Sequence, residues 1–142
     1  MDDLLTQRLA RAMRLTQDLA DCLDAAQLRM KLPGLPANAI GEQLWCVVGA
    51  RESHLKAMQQ GGWAGFSCSL KDAFAPEAVR GALAESAAAL LATLESAELD
   101  AARQGLLLDL LEHEITHHGQ LIRYVYANRL EFPASWRARY TV

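Results

Sequence analysis

The stretch Leu106–Tyr126, LLLDLLEHEITHHGQLIRYVY, decides how the chain is read. Leu106, Leu110, Leu121 and Tyr124 recur there at helical spacing and fall in line with His113 and His117. On an α-helix, residues four apart stand one turn above each other on the same face. The two imidazoles therefore lie on an apolar stripe that faces a core rather than water. Each can turn one ring nitrogen to a common point, which makes the pair a ready bidentate site for a transition metal. The plainer reading, two core histidines satisfied by polar neighbours, needs a separate partner for each ring.

Working outward, this segment belongs to a fourth helix, expected from about Asp100 to Leu130 and closed by Phe132-Pro133. A third helix is expected from Pro76 to about Ala97, with Pro76 at its first position and Glu77 in its first turn. A second should run from Ala39 to about Gln60, capped by Asn38 and ended by Gly61-Gly62. The first, Asp3 to Met30, is amphipathic and stops at Lys31-Leu32-Pro33-Gly34-Leu35-Pro36. That short loop predicts that the second helix packs antiparallel against the first. Trp63–Ala75 has no helical period and is long enough to cross between parallel helices. Ala and Leu dominate the apolar residues, a bias toward helix over strand. The expected fold is all-α: one domain over residues 1–142, a four-helix bundle in up-down-down-up order with the long connection between helices 2 and 3. The tail, with Trp136, Arg137, Arg139 and Tyr140, either packs back or bridges to a second subunit.

Composition narrows the function. A net charge of −3 with mixed signs lacks the clustered basic surface that nucleic acid requires, so no nucleic-acid partner is expected. No apolar run approaches the ~20 residues that span a bilayer, so no membrane role is expected either. The opening MDDLLTQRLARAMR lacks the layout of a secretory signal. Cys22, Cys46 and Cys68 fit no zinc-ribbon spacing and read as reduced thiols, which points to the cytoplasm.

His113-Glu114-Ile115-Thr116-His117 satisfies the HExxH pattern of zinc peptidases, with Glu114 as the general base. The peptidase reading is not adopted. The residues after His117 offer no obvious further ligand, and no strand is expected that would hold a peptide by β-augmentation.

The wider segment His113-x-x-x-His117-His118-Gly119-Gln120-Leu121 resembles the last-helix signature of the DinB/YfiT-like superfamily, usually H-x-x-x-H-[R/H]-G-Q. The resemblance extends to the helix count, the long second connection and the segment Leu44-Trp45-Cys46-Val47-Val48-Gly49-Ala50-Arg51-Glu52. It implies an up-down-down-up bundle, often a homodimer, in which many members hold a divalent metal through one histidine of the second helix and two of the last. Carried over, His113 and His117 match the last-helix ligands, and the second-helix position falls on Cys46 instead of histidine. A Cys-His₂ set leaves one coordination position open and favours zinc or nickel over harder metals. A site that has lost its third ligand is the alternative.

Helical counting keeps a second candidate open. The dominant apolar face of the second helix carries Ile40, Leu44, Val47, Val48, Leu55 and Met58, with His54 at its edge. Cys46, Ala50, Ser53 and Ala57 lie on another, small-residue face. Either this helix buries two faces and Cys46 is the third ligand, or His54 is. Gln120 is placed as an outer hydrogen-bond partner of a ligand histidine, and Glu114 as an outer partner or a solvated charge. His118, about 100° from His117, reads as a surface or interface residue. Arg51 and Arg123 read as clamps for an anionic substrate or as solvated charges. Two functions follow from the resemblance. One is a metal-dependent hydrolase or thiol-dependent transferase acting on a small molecule. The other is a non-catalytic, stress-associated helical dimer with a degenerate or structural site.

Overall fold

The computed structural model describes residues 3–142. They form four long and two short helices: α1 (Asp3–Asp21), α2 (Ala25–Leu28), α3 (Ile40–Gln60), α4 (Pro76–Ser96), α5 (Ala101–Ala127) and α6 (Ala134–Tyr140). Among the described residues there is no strand, and no helix is long and apolar enough to cross a membrane.

Local chemistry sets most of the boundaries. The Asp100 carboxylate accepts from the Arg103 amide at 2.9 Å and starts α5. Pro76 occupies the first turn of α4, and Gly61, at φ 81°, closes α3 in the left-handed region. Three expected ends change. The last long helix stops at Ala127 rather than Leu130: the Asn128 amide donates to Tyr124 O, and Arg129, at φ 55°, turns the chain before Phe132-Pro133 is reached. The first helix stops at Asp21 rather than Met30, although its apolar period continues. Asp24 and Gln27 form a reciprocal cap, with bonds of 2.8 and 2.9 Å, that begins the one-turn helix α2 and lets Leu28 turn into the core. Asn38 does not cap α3. The Ala39 amide donates to Glu42 Oε1 at 3.0 Å instead, and the Asn38 side chain is engaged by Tyr124 and Gln43.

Both α1 and α3 pack against α4 and α5. The expected close pairing of the first two long helices is therefore corrected: α1 and α3 do not form an extensive contact. The connection between them includes α2 and is long enough to carry the chain away from its nearest neighbour. The tail packs back. Trp136 is fully buried and donates from Nε1 to Leu15 O at 2.6 Å.

The core consists of two apolar clusters. One joins Leu19, Leu44, Val47, Leu83, Leu121 and Trp136, and the other Leu9, Met13, Met58, Leu90, Leu107 and Leu110. Buried polar residues fall between them on every long helix. Thr16 on α1, Arg51 on α3, Ser86 on α4, and Glu114 and His118 on α5 are joined by hydrogen bonds into a polar layer in the middle of an apolar interior.

The start of α3 depends on a glycine. A Cβ at Gly41 would lie 2.0 Å from Ala73 O and 3.1 Å from Leu28 O, both backbone atoms that cannot rotate away. At Gly49 the obstacle is the ring of Phe66, 2.2 Å away but half-exposed and free to swing. Gly41→Ala is expected to destabilise by about 1–3 kcal/mol or more through overpacking, and Gly49→Ala by clearly less. Urea denaturation of the two variants checks the contrast.

Candidate metal centre

Two positions on α3 and two on α5 build the site. His113 and His117 stand one turn apart with ring centroids at 4.6 Å and planes at 66°. Cys46 faces them from α3, its Sγ 3.6 Å from His113 Nε2. One donor atom from each of Cys46, His113 and His117 lies within 4.8 Å of the other two. Tetrahedral zinc with ordinary Zn–S and Zn–N bonds places sulfur and nitrogen about 3.6 Å apart. The Cys46–His113 edge already has that length. His117 is buried, while Cys46 and His113 are half-buried, so the outer side of the group reaches solvent.

Hydrogen bonds fix how His117 presents itself. Its Nδ1 meets Gln43 Oε1, an acceptor only, so Nδ1 carries the proton and Nε2 keeps its lone pair. Gln43 is held in turn: its Nε2 donates to Asn38 Oδ1 at 3.0 Å, and Tyr124 Oη donates to the same oxygen at 2.6 Å. Burial, with the neighbouring His113, pushes the His117 pKa down to about 4. Burial, opposed by Glu114 and assisted by His54, lowers that of His113. Both rings are neutral at pH 7, the form that ligates metal. His113 Nδ1 is buried with no hydrogen-bond partner among the described residues. Burial pushes the Cys46 thiol up, so it stays protonated until something displaces the proton.

The sequence left Cys46 and His54 as alternatives, and the structure groups Cys46 with the two histidines. His54 lies outside that group, with Nδ1 donating to Ala50 O at 2.7 Å and its ring 5.1 Å from that of Trp63. Cys46 reaches the site because α3 buries two faces. The loop after α3 covers the small-residue side: Phe66 lies over Gly49, and Ser53 Oγ bonds Ser67 at both its amide and its carbonyl. Gln120 is exposed and takes no part. Its expected place beside a ligand histidine belongs to Gln43, one turn before Cys46 on α3. That spacing was the signal available in the sequence.

Three further expectations are corrected by the polar layer. Glu114 is fully buried and is not a solvated charge; Arg51, 1% exposed, is paired with it and is not a substrate clamp. Arg51 Nη2 and Nε donate to Glu114 Oε1 and Oε2 at 2.5 and 3.1 Å, while Nη1 donates to Leu83 O and Ser86 Oγ. Arg123, the other candidate clamp, is exposed. His118 is fully buried rather than at the surface. Its bonding order follows from counting protons. Glu114 is an acceptor, so Thr16 Oγ1 donates to Glu114 Oε1 at 2.7 Å and must accept from His118 Nε2, also at 2.7 Å. His118 Nδ1 then accepts from Tyr140 Oη at 2.6 Å. The chain Tyr140–His118–Thr16–Glu114 is complete with a neutral His118, consistent with burial pushing its pKa down to about 4.

Comparison with protein-family models, with curated proteins and with solved structures gives no match. Chemistry alone therefore describes the site. It is a soft thiol and two neutral imidazoles, one of them oriented from behind, at an opening to solvent. The carboxylate of the HExxH pattern is held away by an arginine.

Proposed function

We propose that Cys46, His113 and His117 hold a divalent metal ion, zinc or nickel, and that the centre serves hydrolysis or thiol transfer on a small molecule. The observation that carries this reading is the convergence of three donor atoms from two helices. Bound there, such a metal acidifies water or a substrate thiol and polarises a carbonyl. The protein's own part is orientation. Gln43 fixes the His117 tautomer, the burial of His117 keeps a base neutral, and the half-buried side formed by Cys46 and His113 is the side from which a substrate would approach.

The same proposal includes an up-down-down-up four-helix bundle of DinB/YfiT type. Residue pairings support it. Gln43 meets His117 and Cys46 meets His113, so α3 and α5 run in opposite senses. Leu9 and Met13 cluster with Leu107 and Leu110, and Leu19 with Leu121, as in parallel α1 and α5. Gln17 bonds Arg80 O while Leu9 clusters with Leu90, as in opposed α1 and α4. Arg51 meets Leu83 and Ser86 while Met58 clusters with Leu90 and Leu94, as in parallel α3 and α4.

A structural metal site in a non-catalytic homodimer is the second reading. It is favoured by the engagement of Arg51 and Glu114 with each other, which leaves neither free for substrate. Metal content per chain, measured on protein purified without added metal, tests both readings. A content far below one that neither zinc nor nickel titration raises would falsify them. Metal-dependent turnover of a thiol substrate selects the first.

Protonation gives a sharper check. Because both histidines are neutral at pH 7 and Cys46 is a thiol, metal binding there should release about one proton, all of it from Cys46. Affinity then rises about tenfold per pH unit below the thiol pKa. Calorimetric titration in two buffers of different protonation enthalpy reads the proton count, and Cys46→Ser should reduce it to near zero.

A further inference from the structure

A groove of about 690 Å³ runs between α1 and α5, on residues that take no part in the metal centre. Ala12, Leu15 and Leu111 lie along it with Leu4, Leu108 and Ile115. The last three are 62%, 48% and 37% exposed, an apolar surface open to water. Arg8, Arg11 and Arg139 also line it, and no acidic residue does among the described residues. The two salt bridges found among those residues, Arg51–Glu114 and Arg103–Asp100, involve none of these three arginines.

Arg11 and Arg139 lie toward one end with Leu15 and Ile115; Leu4, Leu5 and Gln104 lie toward the other, and Arg8 stands between them, one turn from Leu4. The Arg139 guanidinium sits 5.0 Å from the centre of the Tyr140 ring. From Leu4 to Leu15 the helix rises about 16 Å. A largely apolar trough of this length, with the paired guanidinium groups of Arg11 and Arg139 toward one end, matches an extended hydrocarbon chain bearing a single anionic head. A second copy of this chain is a poorer occupant. It would bring another set of three guanidinium groups to a contact whose lining supplies no carboxylate. We infer that this groove binds a free single-chain amphiphilic anion, a fatty carboxylate, with the head at Arg11 and Arg139 and the tail along Leu108 toward Leu4.

Calorimetry with decanoate and decyltrimethylammonium below their micelle concentrations, and with decanol below its solubility limit, tests the assignment. Decanoate is expected to bind saturably, at least about tenfold tighter than the alcohol, with the cation weakest. Arg11→Ala with Arg139→Ala should weaken decanoate at least about tenfold and leave decanol unchanged. Leu108→Asp should abolish both, and unchanged circular dichroism shows that the variants fold. Equal affinity for the three head groups, or decanoate binding indifferent to the paired arginine change, overturns the proposal. So does a dimer, seen by sedimentation, that Leu108→Asp converts to monomer, because the second copy then occupies the groove.

Discussion

His117→Ala is expected to lower zinc affinity at least about a hundredfold. Structural zinc sites bind with about 10–16 kcal/mol, so one of three protein donors accounts for a few kcal/mol, and each 1.4 kcal/mol is tenfold. His113→Ala should behave alike. Gln43→Ala keeps all three donors but frees the His117 ring to rotate and to change tautomer, and should cost about 10–100-fold. Competition titration against a chromophoric chelator measures all three. The order matters more than the absolute values. His117→Ala within a few-fold of the parent would mean that Cys46, His113 and His117 do not act together, and the functional reading would fail with them.

The largest stability change is expected at the polar layer. Glu114→Ala leaves the Arg51 guanidinium buried without its counter-charge, and breaking such a pair costs about 3–5 kcal/mol. That is a large share of the roughly 5–15 kcal/mol that holds a domain folded. Arg51→Met with Glu114→Leu removes both charges and should recover most of the loss, since apolar replacement of a whole buried pair is often neutral or stabilising. Urea midpoints of the parent and both variants decide it; a double variant as weak as the single one would show that the pair contributes more than mutual satisfaction. The pH dependence has a definite sign. Burial alone would raise the Glu114 carboxyl, but the charge and hydrogen bonds of Arg51, with Thr16, outweigh it and lower the pKa below the usual carboxylate range. Its stabilisation is therefore complete above the ordinary carboxylate pKa and is lost as pH falls through the depressed value.

The three long helices from α3 to α5 were legible because their ends carry strong local chemistry, Gly61, Pro76 and the Asp100 cap, whereas the seven-residue α6 read only as a tail. The break after Asp21 was not legible, because Leu19, Leu23 and Ala26 continue the helical spacing through it. The Asp24–Gln27 cap was readable but competed with that period. At the site, a spacing of four identified His113 and His117 as neighbours. Cys46 came from the segment around it, while face counting on α3 alone pointed to His54. The rest depended on which way α5 is turned. Glu114 is one of its fully buried positions, with His113 and His117 to one side and His118 to the other. A charged residue is the last one a hydrophobic pattern places at the centre. Its partner Arg51 is 63 residues away, a separation at which sequence spacing carries no signal.

Glu114 also bears on how the chain assembles. Its carboxylate is satisfied by α1 through Thr16 and by α3 through Arg51, and Arg51 in turn leans on α4 through Leu83 and Ser86. Any subset of three long helices would leave a charged or polar group stranded in a dry interior. Partly assembled forms are thus penalised, and unfolding should pass in a single all-or-none step with no populated three-helix intermediate.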